Sequence, residues 1–211
     1  MSQFTLITGG ARSGKSSFAE LLAAHTKRSV IYIATAQIWD DEMALRVKKH
    51  QQQRPTKWRL IEEPLNIHDT LLQLKDQEGV ILLDCVTLWL TNLLLAGQPT
   101  APSSPSGEEL PLAPQKVDAL FNNELEPQIL DIVKDVAQLA QAIKPQVIFV
   151  TNEVGQGIVP EYPLSRAYRD LAGRSNQILA QNAEQVYMVV AGFPMEIKHS
   201  GEKLLASLLK E

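Results

Sequence analysis

The stretch Gly9-Gly10-Ala11-Arg12-Ser13-Gly14-Lys15-Ser16 constrains this chain more than any other, because its G-x-x-x-x-G-K-S spacing sits between two elements of different kind. Before it, Phe4-Thr5-Leu6-Ile7-Thr8 is short and apolar enough for a buried strand. After it, Phe18, Leu21, Leu22 and His25 recur near the helical period and predict a helix from Ser17 to Arg28. Strand, glycine loop and helix in that order form the context in which this spacing cradles phosphate. Glycines let backbone N–H groups curl around a polyphosphate, and the helix N-terminus adds partial positive charge facing it. Lys15 supplies a mobile full charge, and the Ser16 hydroxyl is placed to ligate a Mg2+ bridging the outer phosphates.

The 211 residues suffice for one substantial core, so a single domain over 1–211 is expected. A net charge of -4 lacks the usual electrostatic footprint of a nucleic-acid binder, and no nucleic-acid partner is expected. Cys85 is the only cysteine, so no intramolecular disulfide forms, and a small buried side chain beside a core strand is its expected role. Met1-Ser2-Gln3-Phe4 has neither a charged leader nor a cleavage site, which predicts a cytoplasmic protein. The most membrane-like run, Val80 to Gly97, holds Asp84, Thr87, Thr91 and Asn92, a poor composition for about 20 residues of bilayer core.

Further along, Val30-Ile31-Tyr32-Ile33-Ala34 predicts a second strand, ending at Thr35-Ala36-Gln37 on the sheet edge that carries the glycine loop. In open α/β sheets that carboxyl edge is where ligands bind. Asp40 can cap a helix through His50, with Met43 and Val47 inward. Pro55 turns the chain, Trp58 to Glu62 predicts a short strand and Ile67 to Leu74 a helix. Val80-Ile81-Leu82-Leu83-Asp84 is four aliphatic residues ending in a carboxylate. Such a group beside a phosphate loop can hold Mg2+ or its water shell, while capping a helix from Val86 to Leu95 is the alternative.

From about 97 to 114, Pro99, Pro102, Pro105, Pro111 and Pro114 alternate with serine, glycine and glutamate, a composition expected of a flexible surface insertion. An amphipathic pattern runs from Val117 to Ile143, with Pro127 a kink or break. Val147 to Thr151 predicts a strand delivering Asn152-Glu153-Val154-Gly155 to the edge as a ligand loop or an ordinary turn. Leu164 to Asn182 reads as helix, whose Arg166, Arg169 and Arg174 are candidate phosphate clamps or solvated charges. Val186 to Ala191 predicts a last core strand, Met195 to Lys198 an edge, and Glu202 to Lys210 a terminal helix. Strands alternating with helices give a mostly parallel sheet covered on both faces.

Several separated motifs resemble, in order, the bifunctional adenosylcobinamide kinase/adenosylcobinamide-phosphate guanylyltransferase family. They are Gly9 to Ser16, the run Ile33-Ala34-Thr35-Ala36-Gln37 with Asp40-Asp41-Glu42-Met43, and Arg46 to Pro55 with Trp58. Thr91-Asn92-Leu93 and Thr151-Asn152-Glu153-Val154-Gly155 with Ile158-Val159-Pro160 extend the match. The proline-rich insertion and the tail after Lys198 depart from shorter members. The resemblance implies an α/β, P-loop NTPase-like (RecA-like) fold, a mostly parallel sheet with helices on both faces.

It also implies two reactions: phosphorylation of adenosylcobinamide by ATP or GTP, then transfer of GMP from GTP, with pyrophosphate released, through a GMP-histidine intermediate at His50. By the same carry-over Gly9, Gly10, Ala11, Arg12, Ser13, Gly14, Lys15 and Ser16 bind the triphosphate. Ala34, Thr35 and Ala36 with Gln51, Gln52, Gln53 and Arg54 line the nucleotide, and Glu62 and Asp84 are additional GTP contacts. Mg2+ on Ser16, a corrinoid partner and a homo-oligomer, a trimer, complete the expectation. Lys48, Lys49 and Arg54 near His50 disfavour the imidazolium and so favour the nucleophilic neutral ring. Taken without the resemblance, the residues also admit a simple P-loop small-molecule kinase with no covalent step, or a nucleotide-dependent switch.

Overall fold

The structure, a computed structural model, describes residues 4–37, 57–96 and 125–209. Seven strands form one sheet: β1 (Phe4–Thr8), β2 (Val30–Ala34), β3 (Arg59–Glu62), β4 (Val80–Asp84), β5 (Gln146–Val150), β6 (Gln185–Val190) and β7 (Phe193–Glu196). Their order is β3-β2-β4-β5-β1-β6-β7, with β7 alone antiparallel to its neighbour. The helices are α1 (Lys15–His25), α2 (Ile67–Leu74), α3 (Val86–Ala96), α4 (Glu126–Ala142), α5 (Pro163–Asn182) and α6 (Lys198–Leu208).

The central strands read as unbroken apolar runs because both faces are buried. Ile31, Ile33, Ile81, Leu83, Val147 and Phe149 join one core with residues of α2, α3, α4 and α5. Their alternates Val30, Tyr32, Val80, Leu82, Ile148 and Val150 join a second core with Ala19 and Ala23 of α1. The period-2 pleat therefore divides each strand between two helical layers, as the alternating pattern of elements predicts. The connection from β1 to β2 passes over β5 and β4, so β1 lies beside the point where the chain reverses direction across the sheet, a place where α/β sheets open a ligand crevice.

Local differences from the sequence-based expectation have simple causes. Helix α1 begins at Lys15, two residues early, because Gly14 (φ 96°, ψ 4°) is itself the residue before the first turn. Its inward stripe is Lys15, Ala19 and Ala23, whereas Leu21 is 67% exposed: alanines let the helix lie close against the sheet. Pro127 starts α4 rather than kinking it, a position where its missing N–H costs nothing. Helix α6 begins four residues before the expected Glu202, because the Glu196 carboxylate accepts the Lys198 and His199 N–H groups. The expected helix from Asp40, the proline-rich stretch at 97–114 and Val117 to Phe121 lie outside the described residues.

Candidate functional site

All six parallel strands end on one edge, and their register aligns the ends. Ala34 stands opposite Glu62 on one side and Asp84 on the other; Asp84 stands opposite Val150, which pairs with Ile7 of β1. One row of the sheet thus carries two carboxylates to within a few strands of the glycine loop.

The loop itself is tied down on three sides. Ser13 N–H donates to the Gly10 carbonyl at 3.2 Å, Gly192 N–H to the Ser13 carbonyl at 2.8 Å, and Glu153 N–H to the Gly9 carbonyl at 3.0 Å. A side chain at Gly9 would put its Cβ 2.5 Å from the Val189 carbonyl oxygen and 2.6 Å from Ser13 Oγ, so only glycine allows this approach to β6. Ala11 and Arg12 are exposed on the rim, Arg12 with φ 58°. Ser13 Oγ is buried and takes no hydrogen-bond partner among the described residues.

Lys15 is only 9% exposed, and its ammonium folds back to donate to the Gly10 carbonyl at 3.2 Å. Burial lowers its pKa from the ordinary lysine value, opposed by the negative charge of Asp84 and then by Cys85. An ammonium under-solvated in this way gains most when an anion arrives. Ser16 follows in the first turn of α1 and is half-buried. At the end of β4, one oxygen of Asp84 accepts the Tyr32 hydroxyl at 3.2 Å, and its other oxygen takes no hydrogen bond from the described residues. Asp84 thus braces β2 against β4, and no hydrogen bond to it from the first turn of α3 is found among the described residues.

Thr35, expected to line a nucleotide, is fully buried. Its hydroxyl accepts the Cys85 N–H at 2.9 Å and donates to the Cys85 carbonyl at 2.8 Å. The side chain is therefore spent on the strand ends. Cys85 is buried beside the strand as expected; burial, then the Asp84 charge, pushes its thiol up to about 11. The arginines of α5 also find protein partners. Arg166 donates to the Pro160 and Glu161 carbonyls at 3.1 and 2.6 Å. Arg174 meets the buried Glu126 carboxylate at 2.9 Å, tying α5 to α4, and Arg169 lies 3.5 Å from Asp170. These are the partners the three side chains have in this structure.

A buried polar network behind the edge escaped the sequence reading. Asn152 Nδ2 donates to Thr87 Oγ1 at 2.6 Å, Tyr168 OH to the Thr87 carbonyl at 2.9 Å, Thr151 Oγ1 to Asn176 Oδ1 at 2.7 Å, and Asn176 Nδ2 to the Asn152 carbonyl at 3.1 Å. The loop after β5 is thus an anchor between α3, α5 and the glycine loop. The available signal was polar residues, Thr87 and Asn92, inside an otherwise apolar run. His50, Gln51, Gln52, Gln53 and Arg54 lie outside the described residues.

The sequence matches the family described as cobinamide kinase / cobinamide phosphate guanyltransferase over residues 5–197. It is 41% identical over 193 residues to the bifunctional adenosylcobalamin biosynthesis protein CobU of Escherichia coli (strain K12), covering 92% of this chain and 98% of that protein. It is 42% identical over 199 residues to the bifunctional adenosylcobalamin biosynthesis protein CobP of Pseudomonas aeruginosa, covering 94% and 98%. Among solved structures, the P4 protein from bacteriophage phi6 in complex with ADP aligns at a TM-score of 0.43 and 13% identity, over 92% of this chain and 52% of that one. With the match running from the first residues of β1 to the residue before α6, the chain belongs to the cobinamide kinase / cobinamide phosphate guanyltransferase family of enzymes.

Proposed function

We propose that the chain phosphorylates adenosylcobinamide with ATP or GTP and then transfers GMP from GTP to the product, giving adenosylcobinamide-GDP and pyrophosphate. The observation that carries this reading is the near-complete match to bifunctional relatives, joined to a phosphate loop whose buried lysine and neighbouring carboxylate share one sheet edge. In the first reaction the loop N–H groups and Lys15 hold the triphosphate, and Lys15 stabilises the charge that moves onto the bridging oxygen as the terminal phosphoryl group leaves.

In the second, a neutral imidazole nitrogen of His50 attacks the α-phosphorus of GTP. The bond to the bridging oxygen breaks and pyrophosphate leaves. A phosphate oxygen of the corrinoid then attacks the same phosphorus, the P–N bond breaks and the imidazole is regenerated. Splitting one displacement into two lets a single phosphate cradle serve both reactions.

Ser16 and Asp84 suit Mg2+, since a first-turn hydroxyl and a carboxylate oxygen that takes no hydrogen bond from the described residues are hard oxygen donors. Among the described residues no group of three His, Cys, Asp or Glu side chains could hold a metal by itself, so substrate phosphates would complete such a site. Bound there, the ion would neutralise developing charge on the phosphates. Glu62, at the exposed end of β3, has the chemistry to accept the paired N–H donors of a guanine edge, whereas adenine presents an acceptor at the same place. The same reading carries a cytoplasmic, single-domain enzyme working as a homo-oligomer, a trimer. Among the described residues no helix is long and apolar enough to cross a membrane.

The test is incubation with GTP labelled at the α-phosphate. Label that survives denaturing electrophoresis, is lost in acid and is absent from His50→Ala supports the covalent route. A corrinoid kinase preparation that retains no label leaves a plain P-loop kinase in its place.

A further inference from the structure

Asn92 sits on α3, 4% exposed, with the same Nδ2 donating to the Thr35 carbonyl at 2.8 Å and to the Pro64 carbonyl at 3.0 Å. An amide nitrogen has two hydrogens, so both are committed to strand ends on the ligand edge. The first carbonyl follows Ala34 of β2; the second lies two residues beyond Glu62 of β3. Glu63 N–H donates to the Ala34 carbonyl at 3.0 Å, so the two strand ends and the amide close a hydrogen-bonded ring. One turn back on the same helix, Trp89 Nε1 donates to the Leu65 carbonyl at 3.0 Å. Because residues three apart share a helix face, α3 presents Trp89 and Asn92 together as a bracket for the 64–65 corner.

We propose that Asn92 is the positioning residue for purine selection: it holds Glu62 and the backbone of 34–36 at the separation at which a guanine can bridge them. This rests on the reading above, in which those residues contact the nucleotide. The phosphate end of the site does not depend on Asn92. Thr35 and Cys85 hold the end of β4 through their own pair of bonds, and the glycine loop is fixed by Gly192 and Glu153. Removing the amide releases two of the bonds at the β3 corner and loosens it against β2, within what the β2–β3 ladder, the Glu63–Ala34 bond and Trp89 still hold, while leaving the triphosphate cradle in place. A carboxylate paired with two base-edge donors is angle-sensitive, so guanine suffers from that movement and adenine, which makes no such pair, does not.

The experiment measures Kd for the Mg complexes of the α,β-methylene analogues of GTP and ATP, which the covalent step cannot cleave, on the full-length wild-type, Asn92→Leu and Glu62→Gln proteins, with the melting temperature of each. Asn92→Leu is close to isosteric, and Asn92→Ser, which keeps a hydroxyl donor, is the second variant should the first not fold. Expected is a GTP affinity about tenfold weaker in Asn92→Leu, the low end of what one paired base contact contributes, with ATP changed less than about twofold. A residue serving stability alone would weaken both nucleotides together or neither, and either result overturns the proposal. Glu62→Gln separates the two levels. If it loses GTP selectivity while Asn92→Leu keeps it, the positioning role fails and the nucleotide reading of Glu62 stands. If Glu62→Gln keeps full selectivity, both fall.

Discussion

Thr35 and Cys85 exchange two hydrogen bonds across the carboxyl edge of the sheet, 2.9 Å from the Cys85 N–H to Thr35 Oγ1 and 2.8 Å from that hydroxyl to the Cys85 carbonyl. The side chain of one strand end thus does for its neighbour what the next rung of a ladder would do. Thr35→Val keeps the shape and removes both bonds, leaving the buried Cys85 N–H without its partner, while the Cys85 carbonyl still accepts the Trp89 N–H at 3.2 Å. The expected cost is ~1–3 kcal/mol. For a chain of this size that lowers the melting temperature by about 2–4 °C per kcal/mol. Thr35→Ser, which keeps the hydroxyl, should recover most of the loss in the same thermal scan; a loss in Thr35→Ser with none in Thr35→Val would mean that the methyl group, not the hydroxyl, holds the edge.

The thiol of Cys85 should be inert in the native protein. With its pKa pushed up to about 11, only about one in a thousand molecules carries the thiolate at pH 8, and the side chain is buried besides. A chromogenic disulfide reagent is therefore expected to leave the folded protein unmodified over minutes and to titrate one thiol once denaturant is added. Rapid stoichiometric reaction in buffer would show that the end of β4 opens.

Lys198 closes the C-terminal end of α5. Its ammonium donates to the carbonyls of Ala180 and Gln181 at 3.0 Å each and to that of Ala183, and it lies 3.5 Å from Glu202 of its own helix. A cation at the negative end of a helix, hydrogen-bonded to its unsatisfied carbonyls, contributes up to ~2 kcal/mol. Lys198→Met keeps the stem and removes the charge and donors. Urea denaturation should show a lower midpoint at unchanged slope, because the contact is lost without changing how much surface unfolding exposes.

The parts of this fold legible in the sequence are those whose cause is local. Val30–Ala34, Ile67–Leu74 and Val80–Asp84 have their predicted limits because apolar runs are bounded by turn or polar residues on both sides. The glycine loop was legible for the same reason: spacing, strand and helix are contiguous. What was not legible depends on distant partners. Arg174 reads as a possible phosphate ligand until Glu126, 48 residues away, is seen beneath it. Asn92 bonds two backbone carbonyls, a group that every residue carries, so no sequence pattern marks its partners. Leu21 and His25 keep helical period with Phe18 and Leu22, yet close packing against the sheet selects the smaller Ala19 and Ala23 for the inward face.

The buried ammonium of Lys15 makes nucleotide affinity depend on pH at the alkaline end. In the free protein, burial holds its pKa below the ordinary 10.5. A bound polyphosphate supplies opposite charge at close range and raises it. Where the bound form has the higher pKa, binding takes up a proton once the free lysine begins to lose its own. Affinity is therefore full below the lowered pKa and falls as pH rises through it, by a slope approaching tenfold per pH unit, until the raised pKa of the complex is reached. ATP is the probe to use, because adenine has no ionisation in this range that would be confused with the lysine. Lys15→Arg, whose guanidinium stays charged throughout, should bind more weakly because of its bulk and show no slope. Calorimetry of ATP binding between pH 7 and the alkaline limit of folding decides the matter. A wild-type affinity that stays flat, or an arginine variant with the same slope, would mean that some other group sets the dependence.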